Sequence, residues 1–241
     1  MVHRKLVLNV LTATVLSFAF MCSSPPPLTV QSASTYEELV TLFKEWREFH
    51  SPQMLDGVPD YSVKAMKKQH ADLVNWQHRL NAFDTAKWPI KHKVDWYLVW
   101  AEMNGLDFDH RVTQPWVRDP AFYVWFYPSP SDVPEREGPN IFGAVELSNY
   151  KWPLSETDAA EVAGRLRKAK AVYEQARINL TGNAKDLWVL GTRSIREQSG
   201  DLENFAASIA GAHPDLATAA NEARVASNEF ADWLTKQAST K

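Results

Sequence analysis

The sequence has one cysteine, Cys22, in 241 residues, so no internal disulfide can form. Nine glycines are few for this length and argue against a turn-rich all-β fold. Neither sign of charge is in excess. The 26 Lys and Arg stand against 29 Asp and Glu, and a formal charge of −3 carries no general nucleic-acid footprint. Chemical signatures are missing too. No His-Glu-x-x-His zinc helix, Gly-x-Ser-x-Gly nucleophile elbow or phosphate-binding loop occurs in the chain. Removal or acylation of Cys22 would also exclude cysteine catalysis. Long apolar runs are confined to the N-terminus, and no internal repeat is evident.

What is present is a globular composition, 45% hydrophobic and 23% charged, with a heavy load of ten tryptophans. The N-terminus reads as an export signal over 1–24. Arg4 and Lys5 precede Leu6–Met21, in which only Asn9, Thr12, Thr14 and Ser17 are polar. The run is short of the roughly 20 residues a membrane span needs. A buried N-terminal helix is the other reading, but Pro25-Pro26-Pro27 follows at once and opens a Ser/Pro/Thr-rich tether over 25–34. Cys22 stands where a lipoprotein cysteine would be acylated, although Ala19-Phe20-Met21 puts bulky groups where the peptidase prefers small ones. Cleavage after Ser32 or Ser34 is the alternative. Loss of 1–24 would leave 24 basic against 29 acidic side chains, a charge of −5. The membrane enters only through this signal or a lipid anchor. The place expected is the periplasm, the envelope surface or the medium.

From 35 to 241 the periodicity predicts an all-α bundle of about six or seven helices. The first starts at Ser34-Thr35, with Glu37 and Glu38 in its first turn and Leu39, Phe43, Trp46 and Phe49 at helical spacing. Ser62–Ala82 carries the stripe Val63, Met66, His70, Leu73, Gln77 and Leu80. Ile90–Asn104 is apolar nearly all round, which predicts a place in the middle of the bundle. The segment 113–153 holds seven of the fourteen prolines and nine aromatics, so it reads as an irregular insertion. Asp119-Pro120 suits a short helix start there, and Ile141–Leu147 suits a short strand. Further on, Ser155-x-x-Asp158 resembles a capping box, and one stripe runs from Val162 to Leu180. Leu187 to Ile209 then makes one helix, or two meeting at Ser199-Gly200. After His213-Pro214 a near-heptad seam runs from Leu216 to Trp233.

Candidate chemistry is sparse, and no residue is assigned a catalytic or metal-binding role. Asp107, Asp109 and His110, next to Arg111, have donor types that suit a metal, or simply form a polar helix exit. Asp95 and Glu102 share a helix face about 10 Å apart along the axis. That slightly exceeds the roughly 6.5–9.5 Å of an inverting glycosidase. The bland reading is an ordinary interior hydrogen-bonding pair. His70 and Gln77 interrupt an apolar stripe, as a core histidine bonded to a backbone acceptor would. Asn179-Leu180-Thr181 fits the N-glycosylation pattern. Trp116, Tyr123, Trp125 and Tyr127 form the one candidate ligand surface, for glycan or apolar molecules. The competing reading is a loop pinned to the bundle by its own rings.

Four stretches carry a resemblance. They are Leu42-Phe43-Lys44-Glu45-Trp46-Arg47-Glu48-Phe49, Ala101-Glu102-Met103-Asn104-Gly105-Leu106-Asp107-Phe108, Arg118-Asp119-Pro120-Ala121-Phe122-Tyr123, and the run from Ala176 to Trp188 containing Asn179-Leu180-Thr181-Gly182-Asn183. Together they resemble the N-terminal half of the bacterial domain of unknown function 885 family. Members of that family look like exported, helical, zinc-dependent hydrolases of the metallopeptidase sort, more than twice this length. Their motif, His-Glu-Ala-x-Pro-Gly-His-His, lies in the C-terminal half and has no counterpart here. The resemblance therefore implies a helical region that walls a catalytic cleft. The zinc, its ligands and the general base would come from a C-terminal half absent from this chain, which would be inactive alone. A self-sufficient envelope binding module, using the aromatic loop, is the alternative expectation.

Overall fold

A computed structural model describes residues 34–130 and 140–240. The signal segment, Cys22 and residues 25–33 of the expected 25–34 tether lie outside the described residues. The described chain is all-α, with seven helices of eleven residues or more, a one-turn helix and two-residue strands.

The first three long helices form one layer. α1 (Tyr36–His50) starts in a complete capping box: Glu38 N–H donates to Thr35 Oγ1 (3.2 Å) and Thr35 N–H to Glu38 Oε2 (2.7 Å). A hairpin of β1 (Met54–Leu55) and β2 (Val58–Pro59) follows. Asp56 and Gly57 take positive φ at its tip, as a two-residue hairpin turn requires. α2 (Val63–Asn81) is capped by Ser62, and α3 (Ile90–Phe108) starts after Pro89. The three share a core of Leu39, Leu42, Trp46, Leu73, Leu80, Val99, Met103 and Leu106.

The larger core lies under the second half. α5 (Glu156–Leu166), α6 (Ala169–Asn179), α7 (Lys185–Ile209) and α8 (Pro214–Ala238) pack around one another, with α7 and α8 as a long antiparallel pair. Ala219, Ala220, Ala223 and Ala231 on α8 are almost fully buried, so α8 can lie close against its neighbours. The stripe from Val162 to Leu180 proves to be two helices. A turn at Arg167-Lys168 divides them, but Leu166 and Ala169 both stay buried across it. The apolar phase is kept, so periodicity alone does not reveal the break. In contrast, α7 runs straight through Ser199-Gly200.

The segment 113–153 is irregular, as expected, yet it forms part of the core. α4 (Pro115–Arg118) and a 3-10 turn at Pro120–Tyr123 lead to β3 (Phe126–Tyr127), which pairs in parallel with β4 (Val145–Glu146). Phe122, Tyr123, Trp125, Phe126, Ile141 and Val145 are all buried there. Gln198, in the middle of α7, fixes the segment. Its Oε1 accepts the backbone N–H of Trp125 (2.5 Å) and Phe126 (3.0 Å), and its Nε2 donates to Tyr173 Oη (2.5 Å) and Ser227 Oγ (2.8 Å).

α3 departs from its expected place. Val99, Met103 and Leu106 face the layer core, but Ile90 (81% exposed), Tyr97 (62%) and Leu98 (61%) face outward. An all-round apolar helix was expected in the middle of the bundle. Here it forms an outer surface, because nothing in the described chain packs on its second apolar face.

Candidate functional site

The best-defined polar cluster lies where the ends of α1 and α3 meet α2. α3 passes directly into a π-turn at Asp109–Thr113, closed by Gln114 N–H donating to Asp109 O (2.8 Å). Gln114 takes φ 43°, and Pro115 follows as the first residue of α4. A residue before proline is disfavoured in the α region, so the helix cannot simply continue through Gln114. Single π-turns of this kind recur at functional sites.

Its side chains form two linked pairs. His70 Nε2 lies 3.1 Å from Asp107 Oδ1, and Arg111 Nε donates to Asp107 Oδ2 (2.7 Å). His110 Nε2 lies 3.0 Å from Gln69 Oε1, while Gln69 Nε2 donates to the carbonyls of Phe49 (3.4 Å) and His50 (3.1 Å). The His70 and His110 rings stack in parallel, and Trp116 closes the far side of His110 at 4.9 Å. Asp109 accepts from Thr113 Oγ1 (2.6 Å).

The electrostatics follow from this packing. Burial, and then repulsion from the His70 ring, lowers the His110 pKa to about 4. A neutral His110 gives Gln69 Oε1 its Nε2 proton. Burial, followed by Arg47, lowers His50. Arg111 above all, and His70 next, hold Asp107 below the usual carboxylate range. Asp107–His70 has the form of a carboxylate-oriented imidazole, half exposed, of the kind that moves protons or holds metals elsewhere. However, no group of three or more His, Cys, Asp or Glu converges on a metal position among the described residues.

Asp95 accepts from Tyr36 Oη (2.7 Å), and Glu102 accepts from Trp46 Nε1 (3.2 Å) and pairs with Arg47 (3.5 Å). Both acids tie α3 to α1. His70 is not the buried, backbone-bonded histidine expected, since its partner is the Asp107 carboxylate and its side chain is 40% exposed. Gln77 Nε2 donates to Asn104 Oδ1 (3.2 Å) in a groove between α2 and α3.

The aromatic residues read as a ligand surface sit inward. Trp116, Tyr123 and Trp125 are buried and Tyr127 is partly buried. Trp125 Nε1 donates to Arg165 O (2.9 Å), and Tyr123 Oη donates to Trp116 O (2.7 Å). Their flat faces contact the core, because a segment rich in proline has few backbone hydrogen bonds and is held by its side chains. Asn179 is also buried. Its Nδ2 donates to Tyr61 O (3.0 Å) and Tyr123 Oη (3.1 Å), so it is no glycan acceptor in the folded chain. Sequence reasoning missed Gln69 and His50. The cue was available: Gln69 lies beside the polar stripe position His70, and the Gln114-Pro115 step marks a forced helix exit.

No family model matches the sequence, and no curated protein does. Among solved structures, the chain is similar to one described as "a putative lipoprotein of unknown function" from Shewanella oneidensis. The identity is 18% and the TM-score 0.55, over 86% of this chain and 38% of that one. At that identity the likeness shows a shared helical fold, and this chain spans well under half of the neighbour's length.

Proposed function

We propose that this chain is a helical scaffold region of an exported protein of the cell envelope, and that it contributes walls and surface rather than a self-contained catalyst. One observation carries the reading. Five acids and imidazoles of the first layer are engaged in holding its elements to one another: Asp95 with Tyr36, Glu102 with Trp46, Asp107 with His70, and His110 with Gln69. A group that must meet a substrate needs a free face and a tuned proton affinity. These groups spend hydrogen-bonding atoms across helix interfaces instead, and His110 is buried as well.

Two further points support the reading. The structural neighbour is described as a lipoprotein, which fits an envelope location, and it is much longer than the present chain. The resemblance to the exported hydrolase family assigns the zinc machinery to C-terminal sequence. On this reading such a region completes a cleft against the helical wall described here.

The test is zinc content and peptidase turnover of the purified chain. We expect no stoichiometric zinc and no cleavage of peptide substrates. Tight zinc together with turnover would overturn the proposal. The binding-module alternative finds less support, because three of its four proposed ligand rings are buried.

A further inference from the structure

α3 is apolar on two opposite faces, and only one is covered. At 100° per residue, Ile90, Val94, Tyr97, Leu98, Ala101, Gly105 and Phe108 fall on one stripe. Each is exposed, and a Cβ added at Gly105 would meet nothing within 4 Å. No charged residue interrupts the stripe. Contiguous exposed apolar surface of this kind marks an interaction site on a soluble protein.

We propose that this face pairs with the same face of a second copy of the chain, with the two α3 helices antiparallel. The charges bordering the stripe carry the choice. Lys91 and Glu102 lie on one flank and Lys93 on the other. Glu102 uses one carboxylate oxygen on Trp46 and Arg47, and its side chain is still 43% exposed. An antiparallel pair centred near Leu98 brings Lys91 opposite the second copy's Glu102. A parallel pair would instead set Lys91 beside the second copy's Lys93. Shape agrees with charge. Ala101 and Gly105, one turn apart, leave a shallow notch, and the same register presents the second copy's Val94 and Ile90 to it. Small residues of this kind let two helix backbones approach closely, and like faces meeting about a two-fold axis form a closed dimer.

Sedimentation of the purified chain, alone and as Leu98→Glu, tests the contact. Circular dichroism serves as the fold control, since position 98 is exposed. We expect a dimer that Leu98→Glu weakens by about tenfold or more. A monomer at about 100 µM, or a dimer indifferent to Leu98→Glu, would overturn the proposal. Disulfide trapping in a Cys22→Ser background tests the direction. Mixing Val94→Cys with Ala101→Cys chains should give a crosslinked heterodimer in the antiparallel arrangement. Crosslinking of Val94→Cys with itself alone would show parallel packing and contradict the proposal. Neither readout depends on zinc or turnover, so the scaffold reading stands or falls separately.

Discussion

The imidazole rings of His70 and His110 are stacked, 4.8 Å between centroids with 7° between their planes, and each has its Nε2 engaged by a different partner. Two stacked imidazoles cannot readily both be charged, and burial makes His110 the one kept neutral.

This gives stability a pH dependence of known sign. The pKa of His110 is lowered in the fold, so the unfolded chain binds a proton that the native one refuses. Stability is then full above the unfolded value of about 6.5 and falls as pH drops towards about 4, where the native ring also charges. His50 is lowered in the same direction. Asp107 acts only below the normal carboxylate range, outside this window. Urea unfolding at about pH 7 and pH 5 should show a stability loss that is reduced in His110→Asn. An equal loss in the variant would show that His110 is not its source.

Gln198 makes four hydrogen bonds from one buried side chain, so its removal should cost far more than the loss of its own volume. Gln198→Leu leaves the N–H groups of Trp125 and Phe126 without an acceptor. At 1–3 kcal/mol for each stranded group, we expect a loss of about 3 kcal/mol or more in urea unfolding. A loss below about 1 kcal/mol would mean that the proline-rich segment is held by its rings alone.

Two glycines of α7 should respond in opposite directions. A Cβ at Gly191 would stand 2.6 Å from Ala121 N and 2.8 Å from Pro120 Cβ, the close approach that seats the 3-10 turn on α7. A Cβ at Gly200 would meet nothing within 4 Å. Gly191→Ala should therefore destabilise by about 1–3 kcal/mol, and Gly200→Ala should stabilise by about 0.5–1 kcal/mol. Thermal unfolding of the two variants separates the effects. Equal shifts would contradict this account of how the segment docks.

The helices were legible in the sequence wherever a single stripe met a punctuator. Thr35, Ser62 and Ser155 cap the helices they were expected to start, and His213-Pro214 parts the last two. Ser155 departs in detail: its hydroxyl donates to Asp158 Oδ2 (2.8 Å), whereas Glu38, a methylene longer, reaches the Thr35 backbone N–H. The Arg167-Lys168 turn was hidden because burial continues in phase across it. The position of α3 was misread for a related reason. Composition reports that a helix is apolar all round, but not whether this chain supplies both partners. The aromatic segment posed the same question in reverse, since Trp125 has the same composition signal on a surface as in a core. Only the Gln198 contact, 73 positions along the chain, fixes which it is. The histidine cluster needed three elements to converge, and no local spacing encodes that convergence.

The role of the layer's acids can be measured directly. Asp95→Asn, Glu102→Gln and Asp107→Asn, combined in one chain, neutralise the carboxylates while keeping their shape. Groups that hold helices together lose stability on neutralisation, by about 1 kcal/mol each. Groups kept for catalysis commonly leave stability unchanged or raise it when neutralised. Equilibrium unfolding in urea of the triple variant should show a loss of about 2–4 kcal/mol. A variant as stable as the parent, or more so, would contradict the scaffold account and return these carboxylates to the list of groups held ready for a substrate.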